Sequence, residues 1–303
     1  MRVGATLVVA VVVLFSVASL AAPSKGVLVV RTKGAQIDEA VGALKAELGS
    51  VPIVDELAAD DSVDAAAAAI QTRVSNADVV VAVGARAAQA ALKQSKLPVV
   101  HCMVLQDAQS LDGDNSAGVP LAVPAKAQLA ALAKVAPKAK RVGVLYDPKL
   151  NARFVDDAKA ASKSAGVTIV AKAVDTATAA PAALDEIIDS IDALLVPPDA
   201  TVVTKELITF LVARAFTKKL PVLGFSESLA RVGTMAALAP SYAQNGKLCA
   251  ALAKKVLAGE KPAALHGALS MSGTLYVNVA TARRIGIDVP ASVLAPPTQV
   301  VGQ

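Results

Sequence analysis

The sequence predicts an α/β protein of two Rossmann-like lobes, each a parallel sheet flanked by helices. Three observations carry this. Short Val-rich runs ending at a polar, Gly or Pro residue alternate with Ala-rich stretches of helical length, the pattern of buried parallel strands covered on both faces. The 303 residues exceed what one small core usually organises. The polar, turn-rich stretch Asp112-Gly113-Asp114-Asn115-Ser116 interrupts the series and makes two sheets more economical than one.

Taken in order, the strands are expected at Val27–Arg31, Val51–Val54, Val79–Val83, Val99–Met103 and Ala117–Ala122. After the polar break they follow at Arg141–Tyr146, Val167–Val174, Ala193–Val196, Val222–Phe225, Thr234–Leu238 and Leu275–Val277. Each is short, β-branched and bounded by turn formers. Helices are expected at Ile37–Leu48, Val63–Val74, Ala87–Lys93, Ala125–Ala136, Phe154–Ala165, Thr204–Lys218 and Tyr242–Ala258.

The N-terminus reads differently. Met1-Arg2 precedes an apolar run from Val3 to Val17 and then Ala18-Ser19-Leu20-Ala21, a basic head, apolar core and small-residue cleavage site that read as a secretory signal peptide over residues 1–21. Its removal from 303 residues leaves 282, starting at Ala22. The competing reading, an uncleaved anchor, requires about 20 apolar residues, and the run falls short. No cysteine lies at the cleavage point, which disfavours a lipid anchor.

Composition excludes several classes. The hydrophobic content is 54%, dominated by Ala and Val, with 18% charged residues, which describes a packed chain and not a disordered one. The formal charge of +5 is spread without a Lys/Arg cluster longer than a pair, so no nucleic-acid partner is expected. Two cysteines, Cys102 and Cys249, are too few for a disulfide scaffold. They read as two buried free thiols, with a single bridge the alternative that export would permit.

Parallel sheets place ligands beyond the carboxyl ends of their strands. The first series ends in Arg31-Thr32, Gly84-Ala85-Arg86 and Cys102-Met103; the second in Tyr146-Asp147-Pro148, Pro197-Pro198-Asp199 with Thr201, and Phe225-Ser226-Glu227-Ser228. On this reading one lobe presents cations and the other carboxylates.

At these strand ends the chain resembles the ABC-transporter substrate-binding proteins of the type I periplasmic-binding-protein fold, in the branch that includes aromatic amino-acid binders. Four stretches carry the resemblance: Lys140 to Pro148 (KRVGVLYDP); Asp192 to Val202 (DALLVPPDATV); Leu220-Pro221-Val222 through Ser226-Glu227-Ser228 to Gly233; and Ala258-Gly259-Glu260-Lys261-Pro262 with Leu275-Tyr276-Val277-Asn278 and Gly286-Ile287. The first half matches mainly in spacing, through Ala87-Ala88-Gln89-Ala90 and Leu97-Pro98-Val99-Val100.

The resemblance implies two lobes joined by a multi-segment hinge, one of residues 22–120 with about 239–266, the other of 121–238 with about 267–303. It further implies a monomeric periplasmic receptor that encloses a small organic solute, an amino acid or related small ion, and passes it to an ABC permease in the inner membrane. Pro198, Asp199, Thr201, Glu227 and Ser228 stand where the family has matching residues, and Asp147-Pro148 replaces an Asn-Pro turn. The first lobe departs: Ala85-Arg86 stands where relatives carry a hydroxyl residue and Pro, and His101 to Asp107 (HCMVLQD) replaces a run close to Phe-Thr-Ala-Val-Thr-Asp-Pro. That rewriting motivates an alternative, an exported sensory or interaction protein that keeps the fold without transport.

An amino acid needs donors for its carboxylate and acceptors for its ammonium. Arg31 or Arg86 supplies the first and Asp147, Asp199 or Glu227 the second, with backbone N–H groups at helix starts. The competing readings are that Arg86 caps or solvates its helix and that Asp199 is an N-cap beside Thr201. Tyr146 and Phe225 either stack on a ligand or pack in the cores.

Enzymatic and cofactor readings have less support. Gly224-Phe225-Ser226-Glu227-Ser228 lacks the closing Gly of a nucleophile elbow. His101 and Cys102 point to opposite faces of a strand, so no metal site is expected. No phosphate-cradling glycine loop occurs. The chain is expected to be no enzyme and to carry no cofactor.

Overall fold

The computed structural model describes residues 26–59, 62–94, 96–104, 111–269 and 271–302. The stretch read as an export signal, residues 1–21, lies outside these, as do Leu105 to Asp107 of the departing first-lobe segment.

Five parallel strands form the first sheet: β1 (Val27–Arg31), β2 (Ile53–Ala58), β3 (Val79–Val83), β4 (Val99–Val104) and β5 (Ser116–Pro120), in the order β2-β1-β3-β4-β5. All residues of β3 and β4 are buried, as uninterrupted β-branched runs require when helices cover both faces. β2 is an edge strand, and its exposed Asp55 and Glu56 explain why apolar periodicity ends it early, at Val54. Among the helices, α1 (Ala35–Leu48) lies on one face, and α2 (Val63–Gln71) and α3 (Ala85–Gln94) on the other.

The second sheet has seven strands: β6 (Arg141–Tyr146), β7 (Thr168–Ala173), β8 (Ala193–Leu195), β9 (Val222–Gly224), β10 (Ala236–Pro240), β11 (Gly273–Asn278) and β12 (Gln299–Val301), in the order β12-β11-β10-β9-β8-β6-β7. On one face pack α4 (Ala125–Val135) and α5 (Pro148–Ala165); α6 (Ala180–Ile187) and α7 (Lys205–Thr217) cover the other. The short α8 (Glu227–Val232) follows β9.

The sheets are mostly parallel, as expected, with one reversal in the second: β11 pairs antiparallel with β10, and β12 runs with β11. The reason lies in the route of the chain. It leaves the second sheet at Pro240, forms α9 (Tyr242–Leu257) on the first sheet and returns at Gly273, which pairs with Pro240. A chain that returns beside its point of departure must run the opposite way.

Helix α9 is the second sheet's loan to the first. It packs along α1 and across β3, β4 and β5, and Leu252, Ala253 and Val256 enter the core with Val27, Val81 and Val100. The approach is close. A Cβ on Gly246 would sit 2.0 Å from the carbonyl oxygen of Ala40 on α1, so only glycine lets the helices meet there. Asn245, fully buried beside it, takes the N–H of Met103 at 2.7 Å and donates to the carbonyls of Val119 and Pro120 at 3.3 and 3.2 Å. Met103 has φ 58° and marks a bulge between β4 and β5, and Asn245 holds it there. Short final helices α10 (Val279–Arg284) and α11 (Ala291–Leu294) complete the second unit.

Candidate ligand-binding site

The carboxyl end of β6 carries Asp147, whose Oδ1 accepts the N–H of Lys149 at 2.9 Å and so caps α5, with Pro148 at the first helical position. An Asp-Pro start is favourable because the proline has no N–H to leave unpaired and its φ already suits a helix. The helix therefore begins six residues before the expected Phe154. Asp147 Oδ2 accepts the Thr201 hydroxyl at 2.8 Å, from the turn after β8.

Asp199 completes the link. Its Oδ2 accepts the N–H of Asp147 at 2.7 Å and the Asn151 side chain at 2.9 Å; its Oδ1 accepts the N–H groups of Thr201 and Val202 at 2.9 and 3.1 Å. Asn151 also reaches the Pro198 carbonyl at 3.3 Å. Asp199 is 2% exposed and Asp147 6%, burial that a carboxylate tolerates only when it is hydrogen-bonded. The Thr201 hydroxyl, then the Lys149 N–H, hold the Asp147 carboxyl below the usual range. Asp147, Pro198, Asp199 and Thr201 are thus brought together, but as a clasp between two strand ends in which every carboxylate oxygen already accepts a hydrogen bond from within. Asp199 caps the turn that leads to α7, and Thr204 caps α7 itself.

Ser226, Glu227 and Ser228 form a second group. Ser226 caps α8 through the Leu229 N–H and lies 2.9 Å from the Ser228 hydroxyl. Glu227 pairs with Arg231 one turn on, at 2.6 Å, and its charge reaches Tyr276 of β11. Burial, reinforced by the Glu227 charge, pushes the Tyr276 phenol up. For Tyr242, at the start of α9, burial first, then the charges of Glu39 and Glu227, raise the phenol. Tyr242, on a helix packed against the first sheet, thus feels the charge of a carboxylate at the second, a proximity that strand-end reasoning missed because Tyr242 opens a helix that leaves one sheet for the other. His266 does not join Ser226: its Nε2 lies 2.9 Å from the Ser116 carbonyl and 3.1 Å from that of Gly113.

In the first sheet the two arginines differ. Arg31 is ion-paired with Asp38, and with Glu56 at 3.4 Å, which also takes Lys45; the Lys45 hydrogen bond, with Arg31 adding to it, keeps the Glu56 carboxyl low. Arg86 is exposed in the first turn of α3, after Ala85, also exposed. Helix α3 opens at Gly84, with φ 105°, where a Cβ would fall 2.5 Å from the Thr32 hydroxyl. Helix α1 opens at Gly34 with no side-chain cap. Both helices that open at the carboxyl ends of β1 and β3 therefore begin on glycines, whereas α5, α7, α8 and α9 begin on capping Asp147, Thr204, Ser226 and Ser241. The helix dipole, and at α1 the N–H groups that no side chain caps, favour an anion.

Cys102 and Met103 take other places than the strand-end reading gives them. Cys102 is fully buried against Cys249 of α9, and Met103 is 8% exposed in the same core. The bulge turns this strand end under α9. The half-buried Tyr146 packs against the core on the α4 and α5 face, and Phe225 against the core under α6 and α7.

Residues 31–301 match the family model described as ABC transporter substrate binding protein. The chain belongs to this family. Its fold is that of the type I periplasmic binding proteins. A tyrosine-binding protein of Clostridioides difficile (strain R20291) is 27% identical over 193 residues, 60% of this chain and 55% of that protein, so the match spans about half the length of that relative. The ABC domain from Streptococcus pneumoniae in complex with L-Trp superposes with a TM-score of 0.61 at 24% identity, covering 91% of this chain and all of that one. The ligand-free, open structure of a substrate-binding protein with adhesive properties from Clostridium difficile gives 0.72 at 20% identity, covering 91% and 99%. Both structures share the fold.

Proposed function

We propose that this substrate-binding protein captures an amino acid or related small ion between its two sheets and delivers it to the inner-membrane permease of an ABC importer, working as a monomer in the periplasm after export. The lobes in this reading are residues 22–120 with about 239–266, and 121–238 with about 267–303. The observation that carries it is the pair of glycine-opened helices, α1 and α3, at the strand ends of the first sheet beside Thr32 and Arg86. They offer N–H groups and a cation to a carboxylate. The relatives described as binding tyrosine and L-Trp support the ligand class.

On the second sheet, hydroxyls are more available to the polar end of such a ligand than the buried, internally bonded carboxylates, which favours Ser228 and Tyr276 over Asp147 and Asp199. Closure then follows from contacts that exist only when both lobes touch the ligand. A melting-temperature screen of the purified protein against amino acids and small carboxylates tests the reading, since a ligand at about 100 times its Kd stabilises by about 2.7 kcal/mol. Selective stabilisation by one chemical class is expected; none by any compound defeats the proposal. A second reading, an exported interaction protein that does not transport, draws on the adhesive relative, and recovery of a cell-surface partner in place of a permease would favour it.

A further inference from the structure

We propose that Cys102 and Cys249 are a modification site, a thiol pair that closes into one intramolecular disulfide and staples α9 to β4. Both are free and fully buried in the same core, Cys102 on β4 and Cys249 on the helix that packs across it. The register of helix on strand is fixed independently. Asn245 holds the N–H of Met103 at 2.7 Å, Cys249 lies one turn further along the same helix face, and Cys102 is the strand residue before Met103. A disulfide needs Cα atoms about 4.4–6.8 Å apart, which demands close approach. The face of α9 that meets the first sheet supplies it, because Gly246, Ala250 and Ala253 stand beside Cys249 and are buried there.

The chemistry is a two-electron exchange with a small-molecule disulfide such as oxidised glutathione. One cysteine thiolate attacks a sulfur of the oxidant, forming a mixed disulfide and expelling one glutathione thiolate. The second cysteine thiolate attacks the protein sulfur of that mixed disulfide and expels the other. The two protons from the protein thiols end on the two glutathione thiols, so the pair is oxidised and the glutathione disulfide reduced. Burial pushes the Cys102 thiol well up, and Cys249 beside it adds to the effect, so the packed pair is unreactive. Exchange therefore takes place while α9 is undocked, and folding then shields the bond.

The inference is independent of the ligand and is tested on the full chain. The protein is unfolded with reductant, refolded either in a glutathione redox buffer or in excess reductant, then denatured, alkylated and weighed intact. From the redox buffer the expected monomer is lighter by two hydrogens, takes up no alkylating agent, and melts about 5 °C or more above the reduced form. Two alkylated cysteines after redox refolding, or glutathione adducts with no bridge, would overturn the proposal. So would an oxidised form that melts below the reduced one. Cys249→Ala guards against a change in folding as the cause: it should melt alike from both buffers, and a gain equal to that of the parent chain in the redox buffer would also overturn the assignment.

Discussion

Asn245 of α9 and Met103 of β4 are joined by a 2.7 Å hydrogen bond from a backbone N–H to a buried side-chain oxygen, although 142 residues separate them. The same amide donates to Val119 and Pro120, so one side chain fastens a helix to the ends of two neighbouring strands. Asn245→Ala leaves the Met103 N–H without its partner in a dry core. A loss of about 2–3 kcal/mol is expected, since a buried unpaired group costs about 1–3 kcal/mol and the lost amide served three. Urea unfolding measures it.

Two glycines near the α1 and α9 contact should respond in opposite directions. At Gly246 a Cβ would meet the Ala40 carbonyl oxygen at 2.0 Å and its carbon at 2.8 Å. The obstacle is backbone, so Gly246→Ala must part the helices and should cost about 1–3 kcal/mol. At Gly42, within α1, a Cβ meets nothing within 4 Å. Gly42→Ala should stabilise by about 0.5–1 kcal/mol through helix propensity alone. Thermal melts of the two variants side by side give the sign of each.

The Asp147 clasp should shape the acid limb of stability. Its carboxyl is held below the ordinary range, chiefly by the Thr201 hydroxyl, so the folded state favours the ionised form. The associated stability is present above the unfolded value of about 3.9 and is lost as pH falls from there through the folded value. Thr201→Val raises the folded value toward the unfolded one. The variant should melt lower than the parent at pH 7, and the difference should shrink as pH is lowered toward 3. A difference constant across that range would show that Thr201 does not act through the ionised Asp147.

The two arginines of the first sheet's strand ends should separate by function. Arg31 is occupied by Asp38 and Glu56, so Arg31→Gln should lower the melting temperature of the unliganded protein and leave ligand-induced stabilisation in place. Arg86, exposed at the start of α3, is the residue proposed above to meet the solute. Arg86→Ala should weaken the ligand by about tenfold or more, the loss of one charge-assisted contact. Titration calorimetry with the compound selected by the screen measures both.

Much of the fold is legible in the sequence because the strands are buried on both faces. Val27–Arg31, Val79–Val83 and Arg141–Tyr146 stand out as β-branched runs and have those limits in the structure. Strand direction is not local, so the reversal at β11 escapes a reading of period and composition, and three-residue β12 offers too few residues to show one. At the site, Asp147, Asp199 and Thr201 are recognisable as polar residues at strand ends. That they bind one another is not, because it depends on how two strands 52 residues apart are set side by side. The start of α5 was readable in Asp147-Pro148, a capping residue before a proline. Asn151 and Asn245 carry no such mark, since an asparagine within a helix looks like a surface residue until the strand it serves is placed above it.

The loan of α9 to the first sheet also sets an order of assembly. Synthesis delivers all five strands of the first sheet before any strand of the second, yet the core face holding Val27, Val81 and Cys102 is covered by α1 alone until residues 242–257 have been made. By then β6 to β10 of the second sheet already exist as chain. The half of the protein that is born first is therefore the half that closes later, and until that moment its open face is what a chaperone would find.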